Sequence, residues 1–361
     1  MEITKNDMKV LKGVAILFML LLHLFARKEI NGLYDTYIWI NDVPLLYYFA
    51  LFGDACVPIF CFASGYGLYV NFQKTGNINI KENFIRVIKL LINFWIILVL
   101  FVTIGFFLGK EEIYPGTVTD FLLNFFLLSN SYNGAWWFMQ TYVLLVIISP
   151  IIFMAIKKYN TFMVLGVTGV IYLLSYIQRI KGVLDLGENT PLIISVNAIV
   201  LLGTSLLPFI IGAIFVKDRF YSVFVQKVKS YKHKNIIFSL GILLLIIIHS
   251  LYESMIIAPI TSISFICLFN LMNKNNVFKK ILSFCGKHST NIWLSHMFFY
   301  STIFKEMTFA PRSAILIYIW LLILCIISSC LINLIYYPIL SLINKMPRIP
   351  RQTKGITSNN L

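Results

Sequence analysis

Charged residues are scarce in this chain of 361 residues: they make up 12% of it, whereas 59% of the residues are hydrophobic. Soluble domains carry about 25% charged and about 45–50% apolar residues. The shortage of charge excludes an ordinary water-soluble enzyme, and the apolar excess excludes a disordered or collagen-like chain. The six cysteines form no Cys-x-x-Cys pair, which argues against a disulfide-rich scaffold and a thiol-ligated metal site. The composition predicts an all-α polytopic membrane protein.

Acidic residues are also few, since 15 Asp and Glu stand against 30 Lys and Arg. A strong positive charge can mark nucleic-acid binding. Here the cations lie in short segments between apolar runs, where membrane orientation explains them, so no nucleic-acid partner is expected. The apolar run at 13–26 has a basic flank but no small-residue cleavage site after it, which indicates a retained span rather than a signal peptide.

Apolar segments of the length that crosses a bilayer recur along the whole chain. About ten transmembrane helices are predicted, at 13–26, 45–70, 90–109, 136–156, 160–178, 192–216, 235–251, 255–273, 288–304 and 312–340. The stretch near 118–129 is apolar but only about three turns long. We expect it to form a short extracellular re-entrant or interfacial helix.

The distribution of Lys and Arg tests this layout. With a cytoplasmic N-terminus, 23 of the 30 cations fall on the inner side, which is the bias of the positive-inside rule. An additional span at 118–129 would reverse every later loop and remove the bias. The sequence therefore predicts that both termini are cytoplasmic, with a membrane-embedded domain at 1–340 and a polar cytoplasmic tail at 341–361. No soluble catalytic domain is expected, because the longest inner loop, 217–234, has fewer than 20 residues.

Ionisable residues at membrane depth are costly and therefore mark candidate sites. Lys12 and His23 are separated by ten residues, which places both side chains on one helix face about 16 Å apart. A neutral imidazole costs less to bury than a charge and can act as a general base. The alternative is that Lys12 anchors the helix at the interface and that His23 is a hydrogen-bonded packing residue.

Asp54 lies in the outer half of the second span, within reach of the level of His23 if the two helices pack. A carboxylate beside an imidazole can fix its tautomer, as in hydrolase triads, but Asp54 can equally face extracellular water. Farther along this span, Ser64-Gly65-Tyr66-Gly67 offers close helix packing or substrate contact.

Three further groups of residues are candidates for binding. Arg86 and Lys89, before the third span, are either topogenic charges or a clamp for the phosphates of a soluble cofactor. Trp136 and Trp137 fit an aromatic belt and also offer a stacking surface for a sugar. Ser289 and His296 are seven residues apart and share a helix face. No His-x-x-x-His or His-Glu-x-x-His pair occurs, so no metal is expected.

Five of these segments, in this order, resemble the acyltransferase-3 family of integral membrane acyltransferases. The Lys12…His23 spacing resembles its Arg/Lys-x10-His signature. The other segments that carry the resemblance are GDACVPIFCFASGYGLY, FIRVIKLL, WWFMQTYVLLVIISP and GKHSTNIWLSH. The resemblance covers about residues 5–340, in the form seen in polysaccharide acetyltransferases.

This resemblance implies transfer of an acyl group, usually acetyl, from cytoplasmic acyl-CoA to a sugar hydroxyl of a surface polysaccharide or its lipid-linked precursor. His23 would be the essential base or transient acyl acceptor, and Lys12, Arg86 and Lys89 would bind the CoA phosphates. A bacterial plasma membrane is the implied location. Lys12 replaces the commoner Arg, and Gln140-Thr141 stands where many members carry a Glu pair. No extracellular SGNH-type esterase domain accompanies the spans.

Two other classes of function remain open. A secondary transporter or exporter of a glycan or small metabolite would tend to show repeated halves, but no second Lys-x10-His or Ser-Gly-Tyr-Gly occurs in 161–340. A catalytically inactive membrane scaffold is the third class. The sequence leaves the acyl group, the sugar, the oxyanion donor (candidates Trp137, Ser289 and Tyr66) and the oligomeric state open, with a homodimer as one alternative.

Overall fold

The computed structural model describes residues 2–76, 80–184, 186–187 and 189–345. Its helices are α1 (Lys5–Phe25), α2 (Leu45–Leu51), α3 (Cys56–Thr75), α4 (Ile80–Phe107), α5 (Val118–Phe125), α6 (Trp137–Lys158), α7 (Thr161–Lys181), α8 (Thr190–Lys217), α9 (Phe220–Val228), α10 (Lys234–Leu251), α11 (Ala258–Leu271), α12 (Asn276–Met297), α13 (Lys305–Phe309) and α14 (Ala314–Lys345). A two-residue hairpin, β1 (Trp39–Ile40) and β2 (Val43–Pro44), precedes α2.

The protein is an all-α polytopic membrane protein, as the composition predicts. Within the described ranges, eight helical segments are long and apolar enough to cross a membrane, and the segment Met255–Leu271 is shorter. The second crossing is Leu45–Thr75, in which the 3-10 turn Phe52–Ala55 separates α2 from α3. The predicted tail at 341–361 lies mostly outside the described residues. Its first residues belong to α14, which continues to Lys345.

Contacts between loops place the helix ends on two faces. On the face that we call basic, Lys217 Nζ donates to the Tyr159 carbonyl at 3.0 Å, and Asn235 binds the Asn273 carbonyl at 3.0 Å. On the opposite face, Lys110 Nζ donates to the Thr302 carbonyl at 2.7 Å. The sequence predicts ten crossings, and α11 and α12, at the positions of two of these predicted spans, are not among the eight described segments long and apolar enough to cross. α5 lies between two segments of the opposite face and does not cross.

The ninth predicted span was placed too late in the sequence. Its helix, α12, begins at Asn276 rather than at 288, and a π-helical turn at Phe298–Thr302 extends it. Its early part carries Lys279, Lys280 and Lys287, which lower its hydropathy. Farther along the helix, polar side chains are buried in the bundle, at His288, Ser289 and Asn291. Hydropathy marks lipid-facing helices, and α12 is a central helix whose polar face points inward.

Two glycine contacts set the closest helix pairs. A Cβ at Gly13 would lie 1.9 Å from the Leu282 carbonyl oxygen, and one at Gly286 would lie 1.9 Å from the Lys9 carbonyl oxygen. Gly65 and Gly212 make the equivalent contact between α3 and α8. Small residues allow helix backbones to approach this closely in membrane proteins. The α1–α12 pair therefore forms the centre of the molecule.

Candidate active site

A cavity of about 300 Å³, here called the inner cavity, opens between α1, α4, α6, α12 and α14. Four cations line it, namely Lys12, Arg86, Lys89 and Lys287, and no acidic side chain is among its described lining residues. Arg86 and Lys89 reach it from one face of α4, with the Arg86 guanidinium donating to Asn83 Oδ1 at 3.1 Å. Four positive charges around one cavity create a positive potential that favours an anionic ligand.

A buried polar network closes one wall of the inner cavity. Asn93 Nδ2 donates to Asn291 Oδ1 at 2.6 Å, and Asn291 Nδ2 donates in turn to Ser329 Oγ at 2.9 Å. Asn93 Oδ1 has no hydrogen-bond partner among the described residues, although the side chain is buried. An unpaired buried acceptor at a cavity wall is a site for a ligand N–H group.

His23 lies in the last turn of α1, beyond the inner cavity, where it meets two side chains from the end of α12 and its π-helical extension. The Tyr300 hydroxyl is 3.3 Å from His23 Nδ1, and the His23 and His296 ring centroids are 4.9 Å apart. His296 Nδ1 donates to the Trp293 carbonyl at 2.8 Å, because a carbonyl can only accept. Its buried Nε2 is therefore an acceptor, and it has no partner among the described residues.

Three aromatic rings separate the inner cavity from a second cavity. Trp137 packs on Phe138 and Phe138 on Trp293, each with ring centroids 5.5 Å apart. Phe138 and Trp293 line the inner cavity, whereas Trp136 and Trp137 line a cavity of about 660 Å³ toward the opposite face, here called the outer cavity. Both predicted tryptophans thus face a space large enough for a sugar. Trp136 Nε1 also donates to the Leu294 carbonyl at 2.9 Å, two residues before His296.

The sequence leaves two positions open for Asp54, a contact with His23 or exposure to extracellular water, and the structure does not bring Asp54 to His23. Asp54 Oδ2 lies 3.6 Å from Nε2 of His249, and His249 Nδ1 lies 3.1 Å from the Thr261 hydroxyl. The reason is the 3-10 turn between α2 and α3. Gly53 packs on α1, where a Cβ would meet Phe18 and Leu22. A 3-10 helix has about three residues per turn, so Asp54, the next residue, points to a different side.

The two remaining predicted site residues, Ser289 and Tyr66, lie in different parts of the molecule. Ser289 lines the inner cavity, and its hydroxyl donates to the Gly286 carbonyl at 2.9 Å. Tyr66 lies against the N-terminal segment, where its hydroxyl accepts from the Ile3 backbone N–H at 3.1 Å. This contact makes Tyr66 a residue that holds the start of the chain, away from His23 and both cavities.

The sequence interpretation missed several residues of the site. Lys287 adjoins Ser289 in a motif already singled out, and its charge was the available signal. Asn93 is an isolated asparagine in an apolar span, which is a recognisable signal for a polar contact. Tyr300 follows His296 by four residues, one helical turn along. No local pattern distinguishes it from the neighbouring aromatic residues.

The family model described as an acyltransferase domain, of the acyltransferase-3 type, matches residues 5–334. No curated protein sequence and no solved structure matches the chain. No group of three His, Cys, Asp or Glu that could hold a metal ion occurs in the described part of the chain. The match spans nearly the whole chain, from α1 into α14, and the chain therefore belongs to the acyltransferase-3 family of membrane acyltransferases.

Proposed function

We propose that this acyltransferase uses acyl-CoA, with acetyl as the acyl group, and that it modifies a hydroxyl of a surface polysaccharide or its lipid-linked precursor. The observation that carries the proposal is the inner cavity with its four cations, Lys12, Arg86, Lys89 and Lys287. CoA carries several phosphate charges, which Arg binds in a bidentate manner and Lys binds as a point charge. The amide groups of its pantetheine arm would supply an N–H donor for Asn93 Oδ1.

The expected orientation follows from the charge distribution. The inner cavity opens among cations of the basic face, which the positive-inside rule assigns to the cytoplasm, where acyl-CoA is made. The outer cavity would then face the extracytoplasmic side and accept the glycan. We place the protein in a bacterial plasma membrane on this basis. Membership of an acyltransferase family favours this function over the transporter alternative.

The proposed reaction moves one acyl group and one proton. His23 accepts the proton of the sugar hydroxyl, the oxygen attacks the thioester carbonyl, and the new C–O bond replaces the C–S bond. The thiolate then takes the proton, so that the products are the O-acyl sugar and free CoA. Tyr300 acts as a positioning residue: by accepting from Nδ1–H of His23 it leaves Nε2 as the base. A transient acyl group on His23 would satisfy the same balance.

The proposal is tested with radiolabelled acetyl-CoA and the detergent-purified protein. Wild type should bind the label and hydrolyse it, with water in place of the sugar hydroxyl, whereas His23→Ala should bind it and lose hydrolysis, because the inner cavity is intact without the imidazole. His233→Ala, which removes an exposed histidine, is the matched control and should behave as wild type. Turnover by His23→Ala at the wild-type rate would reject His23 as the base. Absence of binding to wild type at millimolar concentration would reject acyl-CoA as the donor.

A further inference from the structure

The outer cavity holds a cation that the acyl-transfer reaction does not use. Arg179, in the last turn of α7, lines this cavity together with polar side chains such as Gln140, Gln178 and Asn197. Its guanidinium carbon lies 5.0 Å from the centroid of the Trp137 ring. Arg179 is the sole charged side chain among the described residues that line the outer cavity.

The guanidinium of Arg179 has no hydrogen bond and no ion pair within the described ranges. The nearby carboxylate is that of Asp54, which lines a narrow cleft of about 40 Å³ together with Arg179 and Trp137. Asp54 is within ion-pair distance of His249 and not of Arg179. Arg presents five N–H donors in a planar fork, and these donors need acceptors when water is displaced. The cavity thus presents a planar fork of N–H donors suited to an anion.

Arg179 lies in the part of the molecule where the acceptor would bind. The Trp137 face stacks with Arg179, and the same indole lies at the boundary between the two cavities. Trp137 and Arg179 both line the outer cavity, and both also line the narrow cleft with Asp54. A ligand anchored at Arg179 therefore lies beside the aromatic wall between the two cavities.

We propose that the acceptor is an anionic glycan, whose carboxylate or phosphate binds the Arg179 guanidinium while a sugar ring rests on Trp137. This inference rests on the proposed function, since it names the chemical class of the glycan that the outer cavity receives. Hydrogen bonds to charged groups contribute more than neutral ones. Loss of the guanidinium should therefore weaken acceptor use roughly tenfold to hundredfold.

The experiment uses membranes from cells that naturally contain the protein, with the chromosomal copy removed and the full-length wild type or a variant restored. Radiolabelled acetyl-CoA is added, and the labelled glycan is fractionated by anion exchange. Arg179→Gln and Arg179→Lys remove the fork, and Arg179→Lys alone keeps the charge. Lys181→Gln is the matched control, because it removes a cation from the same helix end that does not line the outer cavity.

Wild type and Lys181→Gln should place the label in the retained, acidic fraction. Arg179→Gln should lose this label and keep acetyl-CoA hydrolysis. Arg179→Lys should label the glycan less than wild type and more than Arg179→Gln. Phosphatase or carbodiimide treatment of the product then distinguishes a phosphate from a carboxylate. Label in the neutral flow-through, or equal glycan labelling by Arg179→Gln, would overturn the inference. If wild type hydrolyses acetyl-CoA but labels no glycan, the proposed acceptor is wrong and the inference falls with it. If wild type does neither, the donor is wrong as well.

Discussion

Gly13 and Gly286 face each other where the backbones of α1 and α12 touch. Each leaves no space for a Cβ, which would lie 1.9 Å from a carbonyl oxygen of the other helix. Both helices carry the residues around the candidate base, since His23 is on α1 and His296 is on α12. This contact therefore fixes the relative position of the two imidazoles.

Substitution of Gly286 by Ala should separate α1 from α12 and destabilise the fold by about 1–3 kcal/mol, the usual cost of overpacking. Acyl transfer should fall as well, because His23 moves relative to Tyr300. Gly67→Ala is the control: it lies in α3 with open space around it, and a helical Gly→Ala exchange there should be neutral or stabilising. Thermal unfolding in detergent measures the difference, and equal melting temperatures for the two variants would contradict the close contact.

Removal of the Tyr300 hydroxyl tests its role in positioning His23. Tyr300→Phe should lower kcat roughly tenfold and leave the KM for acetyl-CoA unchanged, because the hydroxyl contacts the imidazole and not the inner cavity. Tyr318→Phe is the matched control, since its hydroxyl also bonds to α1, at the Leu17 carbonyl, but not to His23. A rise in KM without a fall in kcat would assign Tyr300 to binding instead.

The inner-cavity cations should determine donor affinity. Arg86→Gln and Lys287→Gln should each raise the KM for acetyl-CoA, and added salt should weaken donor binding by wild type more than by either variant. Lys81→Gln, which removes an exposed cation of α4 outside the cavity, should leave the KM unchanged. Steady-state kinetics at two salt concentrations provide the measurement. A KM that responds equally to all three substitutions would mean that only the general charge of this face matters.

A surface ion pair predicts a pH dependence of stability. Lys28 Nζ lies 2.7 Å from Glu253 Oε2, and this hydrogen bond, together with one from the Tyr47 hydroxyl, lowers the pKa of Glu253 below its ordinary value of 4.5. A lowered carboxyl pKa stabilises the folded state above the unfolded pKa, and the stabilisation is lost as pH falls through the folded value. Glu253→Gln should therefore melt below wild type near pH 7, and the difference should vanish as pH falls below the lowered pKa of Glu253. The shift should be small, because exposed pairs contribute little.

The sequence predicted the crossings and the common face of Lys12 and His23 because both depend on local periodicity. Hydropathy and cation placement report where helices meet water and lipid, and eight of the ten predicted crossings correspond to described helices long and apolar enough to span a membrane. Arg86 and Lys89 converge with Lys12 because of the way α1 and α4 pack together. Residue spacing along one helix gives no information on that packing. The family resemblance supplied that expectation.

Asp54 and Lys287 show where local reasoning failed. Asp54 was assigned to His23 by its depth in the membrane, but a 3-10 turn sets its direction and turns it toward His249. Lys287 was counted as a charge of an inner loop because α12 was placed too late. In the structure α12 begins at Asn276, so Lys287 lies within this helix, where it lines the inner cavity.

Lys12 and His23 lie on one continuous helix, α1, so the number of residues between them sets both the distance and the angle between the two side chains. Inserting or deleting one residue between them would turn one side chain by about 100° around the axis relative to the other. Either Lys12 would leave the inner cavity or His23 would leave Tyr300, and no side-chain substitution elsewhere would restore both. Apart from Gly13, which leaves no space for a Cβ, conservative exchanges along this stretch should be tolerated, whereas a change in its length should not.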